Sequence, residues 1–111
     1  WGRAAARLLL NDGAAFDAVI CQNDVLARGC IEELERNGCR VPQDVAVIGH
    51  DNSPDYVSYA HPLLTSIDDN NEMLGRQAAL CLLDAIAGHP HHGVERVPVK
   101  LIQRESTLPL D

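Results

Sequence analysis

The chain is short of positive charge. Nine Lys and Arg stand against sixteen Asp and Glu among 111 residues, a formal net charge of −7. Such a chain repels a phosphate backbone, and it has no basic stripe or Lys/Arg cluster, so it is not expected to grip DNA itself. No apolar run approaches ~18 residues, which argues against a membrane-spanning helix. No charged segment precedes an apolar stretch after Trp1, so no signal peptide is expected. The sequence also lacks G-x-S-x-G, a P-loop, G-x-G-x-x-G and H-E-x-x-H, leaving no motif for a nucleophile, nucleotide or catalytic metal. Ser53 and Ser58 share a loop with His50 and Asp51, but a triad needs a geometry that sequence does not show. The expectation is therefore no catalytic residue, no cofactor and no enzyme. The cysteines at 21, 30, 39 and 81 never reach Cys-x-x-Cys spacing, which argues against zinc or thioredoxin-type chemistry. Cys21, Cys30 and Cys81 fall on apolar segments, and the set reads as free buried thiols in a reducing, cytoplasmic setting.

What the chain does have is apolar content of 46%, ample for one compact domain and inconsistent with disorder. The order reads helix, strand, helix, strand, loop, strand, helix, strand. RAAARLLL over 3–10 favours helix and ends at Asn11-Asp12-Gly13. DAVIC at 17–21 and VAVIG at 45–49 are short apolar runs, the pattern of buried strands. Between them Asn23 or Asp24 can cap a helix whose apolar positions, Val25, Leu26, Ala27, Cys30, Ile31 and Leu34, follow a 3.6 period up to Gly38. Glu32 and Arg36 have i, i+4 spacing on its wet face. Residues 50–62 form a polar loop, and Leu63–Ile67 a third extended piece. Asp69 and Glu72 have capping-box spacing ahead of a helix over about 70–87 that buries Met73, Leu74, Ala78, Cys81, Leu82, Ala85 and Ile86. Val94–Gln103 reads as a strand that Pro98 confines to an edge or a crossing segment. Buried strands alternating with helices predict an α/β fold, a parallel sheet with helices on both faces.

In such sheets ligands sit beyond the C-terminal ends of the strands. The first strand runs into Gln22-Asn23-Asp24 and the second into His50-Asp51-Asn52. If the two strands are neighbours, Asn23 and Asp51 emerge at one edge. A carboxylate accepts at two oxygens and an amide both donates and accepts, which suits adjacent sugar hydroxyls or a nucleoside edge. Spacing alone leaves open the alternative that Asn23 and Asp24 only cap a helix and Asp51 only a turn. His89, His91 and His92 lie in a Gly/Pro-flanked loop without metal-ligand spacing and read as a solvated turn, so no metal site is expected.

Five segments in order carry a resemblance to the LacI/GalR family of repressors. They are NDVLARG (Asn23, Asp24, Ala27, Gly29), VPQDVAVIGHD (Pro42, Asp44, Val45, Val47, Gly49, Asp51), PLLTSI (Pro62, Leu64, Thr65, Ser66, Ile67), MLGRQAA (Leu74, Gly75, Ala78) and RES-T (Arg104, Glu105, Ser106, Thr107). The resemblance implies a lobe of the type I periplasmic-binding-protein-like fold, in truncated form. Residues 1–66 would be C-terminal lobe. Residues 67–99, with the helix near 70–87, would lie on the N-terminal lobe, and 100–111 would return as a strand and tail. It implies a small-molecule effector in the cleft, a homodimer, no membrane partner, and operator DNA contacted only through a helix-turn-helix domain outside these residues. Asn23 and Asp51 carry over as effector contacts. Asp69 stands where the family often has Gln, and His50 where it has Tyr or Phe, read here as filling an aromatic slot. Tyr56 and Tyr59 fall where the family dimerises, through the helix after the N-D motif and the loop before P-x-L-T. The alternative is a periplasmic-type sugar-binding protein of an ABC transporter, which shares the fold but looks less like PLLTSI and RES-T.

Overall fold

A computed structural model describes residues 1–13 and 15–107, so the tail expected over 108–111 lies outside the described residues. The elements run α1 Gly2–Asn11, β1 Ala18–Ile20, α2 Asp24–Arg36, β2 Ala46–His50, α3 Pro54–Val57, β3 Thr65–Asp68, α4 Asn71–Ile86 and β4 Lys100–Ile102. The strands form one sheet in the order β1-β2-β3-β4. β1, β2 and β3 are parallel, with Ile20 opposite Ile48 and His50 opposite Ile67. β4 closes the edge antiparallel, with Ile67 opposite Leu101. The α/β class and parallel sheet follow from the apolar runs. The strand expected over Val94–Gln103 shrinks to Lys100–Ile102. Pro98 supplies no N–H to a ladder, and pairing begins only beyond it. The loop after β2 contains α3, a single turn started by Pro54, whose fixed φ suits a first helical position.

The core is one cluster of Ala6, Ala27, Cys30, Ile31, Leu34, Val41, Val45, Val47, Val57 and Leu64. Its α2 members recur at helical spacing, and Val47 meets them from the sheet by strand alternation. Ile20 points to the face opposite Val19 and is 74% exposed. α1 lies against α2 so closely that a Cβ on Gly2 would sit 2.2 Å from the Leu26 carbonyl oxygen. Ion pairs stitch the same seam. Arg3 bonds Glu32, and Arg7 Nε donates to Glu33 Oε1 at 2.9 Å. Glu32 is therefore not paired with Arg36, as i, i+4 spacing suggested. A tertiary neighbour took the acid, and Arg36 approaches Glu33 instead, at 4.0 Å. The four cysteines are free, but only Cys30 is fully buried. Its bond to Cys21, ahead of burial, pushes the Cys21 thiol up.

α4 stands apart. Not one of its residues is buried, and Leu82 and Ile86 are 62% and 74% exposed, against the expectation that its apolar stripe is covered. The radius of gyration is 18.0 Å, where a compact chain of about this length has ~13 Å. The expected capping box is also absent. The N-cap is Asn70 in a left-handed conformation (φ 55°), without a side-chain cap bond. Its N–H is held by Asp68 Oδ1 at 2.8 Å, which places Asp69 one residue too early to cap.

Two cations brace the lobe from inside. Arg28, buried on α2, donates to the carbonyl oxygens of Tyr56 (2.6 Å), Pro62 (2.7 Å) and Val57 (3.2 Å), pinning the 54–62 loop. Desolvation lowers its pKa, opposed most by Asp24. The RES-T segment bonds both inner strands. Ser106 Oγ donates to the Val47 carbonyl (2.6 Å) and accepts from Thr65 N–H (2.8 Å), while Arg104 Nη1 donates to the Leu64 carbonyl (2.8 Å). Arg28→Ala removes three charge-assisted bonds and strands buried carbonyls. It is expected to lower unfolding stability by about 2–4 kcal/mol and to speed proteolysis within 54–62, as read by denaturant titration and limited digestion of the full-length protein.

Candidate functional site

Register decides what meets at the C-terminal edge of the sheet. Ile20 is level with Ile48, and His50 with Ile67. Asn23 and Asp51, each three residues past its paired isoleucine, therefore leave adjacent parallel strands at the same height. Asp69 follows from the third strand. The sheet thus brings together all three residues singled out as ligand contacts.

Asn23 does cap α2: its extended backbone lets Oδ1 accept from Leu26 N–H at 2.9 Å. The cap occupies the side-chain oxygen and leaves the amide N–H groups for other partners, so capping and ligand contact are compatible. Asp24 behind it is 1% exposed. Its Oδ2 accepts from Ser53 N–H at 2.7 Å and its Oδ1 from the Ser66 hydroxyl at 2.6 Å. Ser66 Oγ in turn accepts from Asn52 N–H at 3.0 Å. Gly49 makes room, since a Cβ there would lie 2.2 Å from Asp24 Oδ1.

Asp51 and Asn52 both take left-handed backbone, with φ 98° and 49°. Asp and Asn tolerate that region better than most residues, and non-glycine outliers concentrate at functional positions. The twist is held by Asp51 N–H bonding the Ile67 carbonyl at 3.0 Å. The Asp51 side chain projects from the edge, 50% exposed. His50 does not fill a buried aromatic slot. Its imidazole is 37% exposed and lies between two carboxylates, Nδ1 at 3.3 Å from Asp51 Oδ1 and Nε2 at 3.2 Å from Asp69 Oδ1. Polar acids flank it because the position faces the open edge rather than the core. These bonds go to acids and not to a serine hydroxyl, so no Ser-His-Asp relay forms through His50.

Sequence reasoning missed the brace behind this row. Asn52 Oδ1 accepts from Arg104 Nη2 at 2.8 Å, and its Nδ2 donates to Asp68 Oδ2 at 3.3 Å. The partners lie 52 and 16 residues away, and no local pattern announces them. Tyr56 and Tyr59 sit elsewhere, bordering a shallow concavity with Arg3, Val25, Arg28 and Glu32 between α1, α2 and the loop. A larger hollow of about 960 Å³ opens near the start of β2 and β3, lined by Val41, Pro42, His61, Pro62 and Arg104 among others. None of Asn23, Asp51 and Asp69 lines it, and Arg104 links its wall to Asn52 beside the Asp51 edge.

Residues 1–107 match the family described as a periplasmic binding protein-like domain. The HTH-type transcriptional regulator CelR of Thermobifida fusca is 38% identical over 106 residues, 95% of this chain and 31% of that protein. A crystal structure of the lac repressor dimer bound to operator and the anti-inducer ONPF superposes with a TM-score of 0.90 at 31% identity, over 97% of this chain and 37% of the other. A transcriptional regulator CelR–cellobiose complex gives 0.84 at 38% identity, over 95% and 32%. The chain spans about a third of the length of these relatives.

Asp24 and Gly49 are expected to behave as one unit. Asp24→Ala strands the Ser53 N–H and the Ser66 hydroxyl, at a cost of about 2–3 kcal/mol. Gly49→Ala forces Asp24 to move and costs about 1–3 kcal/mol. The double variant should be less destabilised than the sum, because the methyl group added at position 49 meets no carboxylate once Asp24 is gone. Urea unfolding of the four proteins of the cycle checks this.

Proposed function

This chain belongs to the LacI/GalR family, and we propose that it is the effector-sensing part of a DNA-binding transcriptional regulator. It takes a small molecule, a sugar or related metabolite, at the edge formed by Asn23, Asp51 and Asp69. Operator binding belongs to a helix-turn-helix domain outside these residues. The observation that carries the reading is the convergence of those three side chains on one sheet edge, where adjacent parallel strands end level. Carboxylates at 51 and 69 with an amide at 23 match a ligand rich in hydroxyl or amino donors. The relatives are transcriptional regulators, which favours this over a transporter's binding protein. It also fits a chain with no catalytic motif.

The second half of the cleft comes from another lobe. Residues 1–66 and 100–111 form one lobe and 67–99 part of the other, with crossings near Ile67 and residue 100. Support comes from α4, which projects from the sheet with every residue at least partly exposed. Two copies pair through α2 and the loop over 54–61. Tyr59, 70% exposed, and Tyr56 supply the broad amphipathic contact such surfaces use. Tyr59→Asp is expected to shift the full-length protein from dimer toward monomer in sedimentation at low micromolar concentration, and unchanged sedimentation overturns the pairing.

Asp51 carries the most affinity from this half, because a bond to an ionised carboxylate is worth ~1.5–3 kcal/mol, more than a neutral one. Asp51→Ala should weaken effector binding at least about tenfold, one decade being ~1.4 kcal/mol, while leaving operator affinity nearly intact. Asn23→Ala should act in the same direction more mildly, with some loss of stability because it also removes a cap. Calorimetry on the full-length protein with the effector found by ligand screening reads both. Wild-type affinity in Asp51→Ala would reduce that residue to a turn former.

A further inference from the structure

The histidine-rich loop after α4 does not float free as a solvated turn. It folds back so that His91 and Glu95 lie over the second half of the helix. His91 Nε2 is 3.0 Å from Asp84 Oδ2 and its Nδ1 is 3.4 Å from Glu95 Oε1. Cys81 Sγ, one helical turn before Asp84, is 3.9 Å from Glu95 Oε2, and Gln77 Nε2 steadies that same oxygen at 2.8 Å. One ligand atom from each of Cys81, His91 and Glu95 falls within 4.8 Å of the others.

We propose that Cys81, His91 and Glu95 form a binding site for a divalent transition-metal ion of the zinc class, which clips the 89–95 loop onto α4. Thiolate, imidazole and carboxylate are the donors zinc takes. Donors at ~2.0–2.3 Å from a tetrahedral ion lie ~3.3–3.7 Å from one another; His91 Nδ1 already stands 3.4 Å from Glu95 Oε1, while Cys81 Sγ, 3.9 Å from the other carboxylate oxygen and within 4.8 Å of the remaining ligand atoms, must close on that pair. Asp84 plays the outer role. By accepting from Nε2–H it fixes the imidazole tautomer and aims the Nδ1 lone pair at Glu95 and Cys81, the carboxylate–histidine–metal arrangement. Without a cation, that lone pair would face a carboxylate oxygen, two acceptors in opposition. On binding, the Cys81 S–H bond breaks and the sulfur–metal bond forms, the thiol proton leaving to solvent together with any proton on His91 Nδ1, while the Nε2 proton stays on its bond to Asp84. Affinity therefore rises with pH. Three protein donors leave a fourth position open to water. His50, Asp51 and Asp69 also gather their donors within 4.8 Å, but they belong to the edge already assigned to the effector and include no sulfur.

Cobalt(II) is the probe, because thiolate ligation gives a sulfur-to-cobalt charge-transfer band in the near ultraviolet that nitrogen and oxygen donors do not. The full-length protein should bind one equivalent per chain with that band. Cys81→Ser, close in size and partly exposed, should lose the band while keeping its circular dichroism. His91→Ala should weaken zinc(II) binding in calorimetry at least about tenfold. Asp51→Ala should keep the band, which separates this site from the effector edge. The proposal is overturned if the wild type shows no band. It is equally overturned if the band survives Cys81→Ser, which would locate it at another cysteine, or if His91→Ala binds zinc(II) as tightly as wild type.

Discussion

The buried carboxylate of Asp24 is the constraint on which the ligand edge hangs. It sits at the first turn of α2, where the free N–H groups of the helix favour negative charge. It also accepts from the loop after β2 through Ser53 N–H and from β3 through the Ser66 hydroxyl. One side chain therefore sets the spacing of three elements that each deliver a residue of the proposed effector edge: Asn23 just before it, Asp51 just before Asn52 and Ser53, and Asp69 three residues after Ser66. In a dry interior such a network is rigid when complete and costly when one member is lost. Gly49 belongs to the same device, since the carboxylate occupies the volume a side chain there would fill.

Two arginines behind this edge are turned inward. Arg104 directs its two terminal nitrogens to the Leu64 carbonyl and Asn52 Oδ1. Arg28 gives its guanidinium to three backbone carbonyls of the 54–62 loop. Neither neutralises Asp51 or Asp69. Between those acids stands His50, its Nδ1 3.3 Å from Asp51 Oδ1 and its Nε2 3.2 Å from Asp69 Oδ1. The edge therefore exposes two carboxylates beside the Asn23 amide, and on the proposed reading these suit a ligand rich in hydroxyl or amino donors better than a phosphate or carboxylate.

The strands and the level exit of Asn23 and Asp51 from adjacent strands were legible because they depend on local pattern. Two short apolar runs separated by a helix form adjacent parallel strands, and equal offsets past those runs put polar residues at equal height. Misreadings arose where spacing was compatible with a local bond and a distant group competed better. Glu32 had Arg36 at i, i+4 but bonds Arg3, because α1 crosses α2 at that point. Asp69 had Glu72 at capping-box spacing, but Asp68 took the Asn70 N–H and moved the helix start past it. His50 looked like an aromatic filler beside a buried strand, but the strand ends there and the ring meets acids. The Arg104–Asn52–Asp68 brace and the Cys81–His91–Glu95 gathering depend on chain returns that no periodicity encodes.

The exposed state of α4 bears on how a ligand at this edge would be sensed. Its apolar residues face several directions, Met73, Leu74, Leu80, Leu82, Leu83 and Ile86 all being at least 47% exposed. Helices of this kind draw most of their stability from tertiary packing. On the two-lobe reading that packing comes from the second lobe, and the segments leading to and from α4 are the crossings. Those segments are β3 and β4, zipped antiparallel from Ser66–Ile102 to Asp68–Lys100. Asp69 is the next residue, bonded to His50 and through it to Asp51. A ligand gripping Asp51 and Asp69 would thus bind at the mouth of the hinge itself. On the same reading, a ligand whose contacts at Asp51 and Asp69 differ between two lobe angles would bias the lobe orientation. Differential contact with two orientations is what a ligand needs to shift an equilibrium between them.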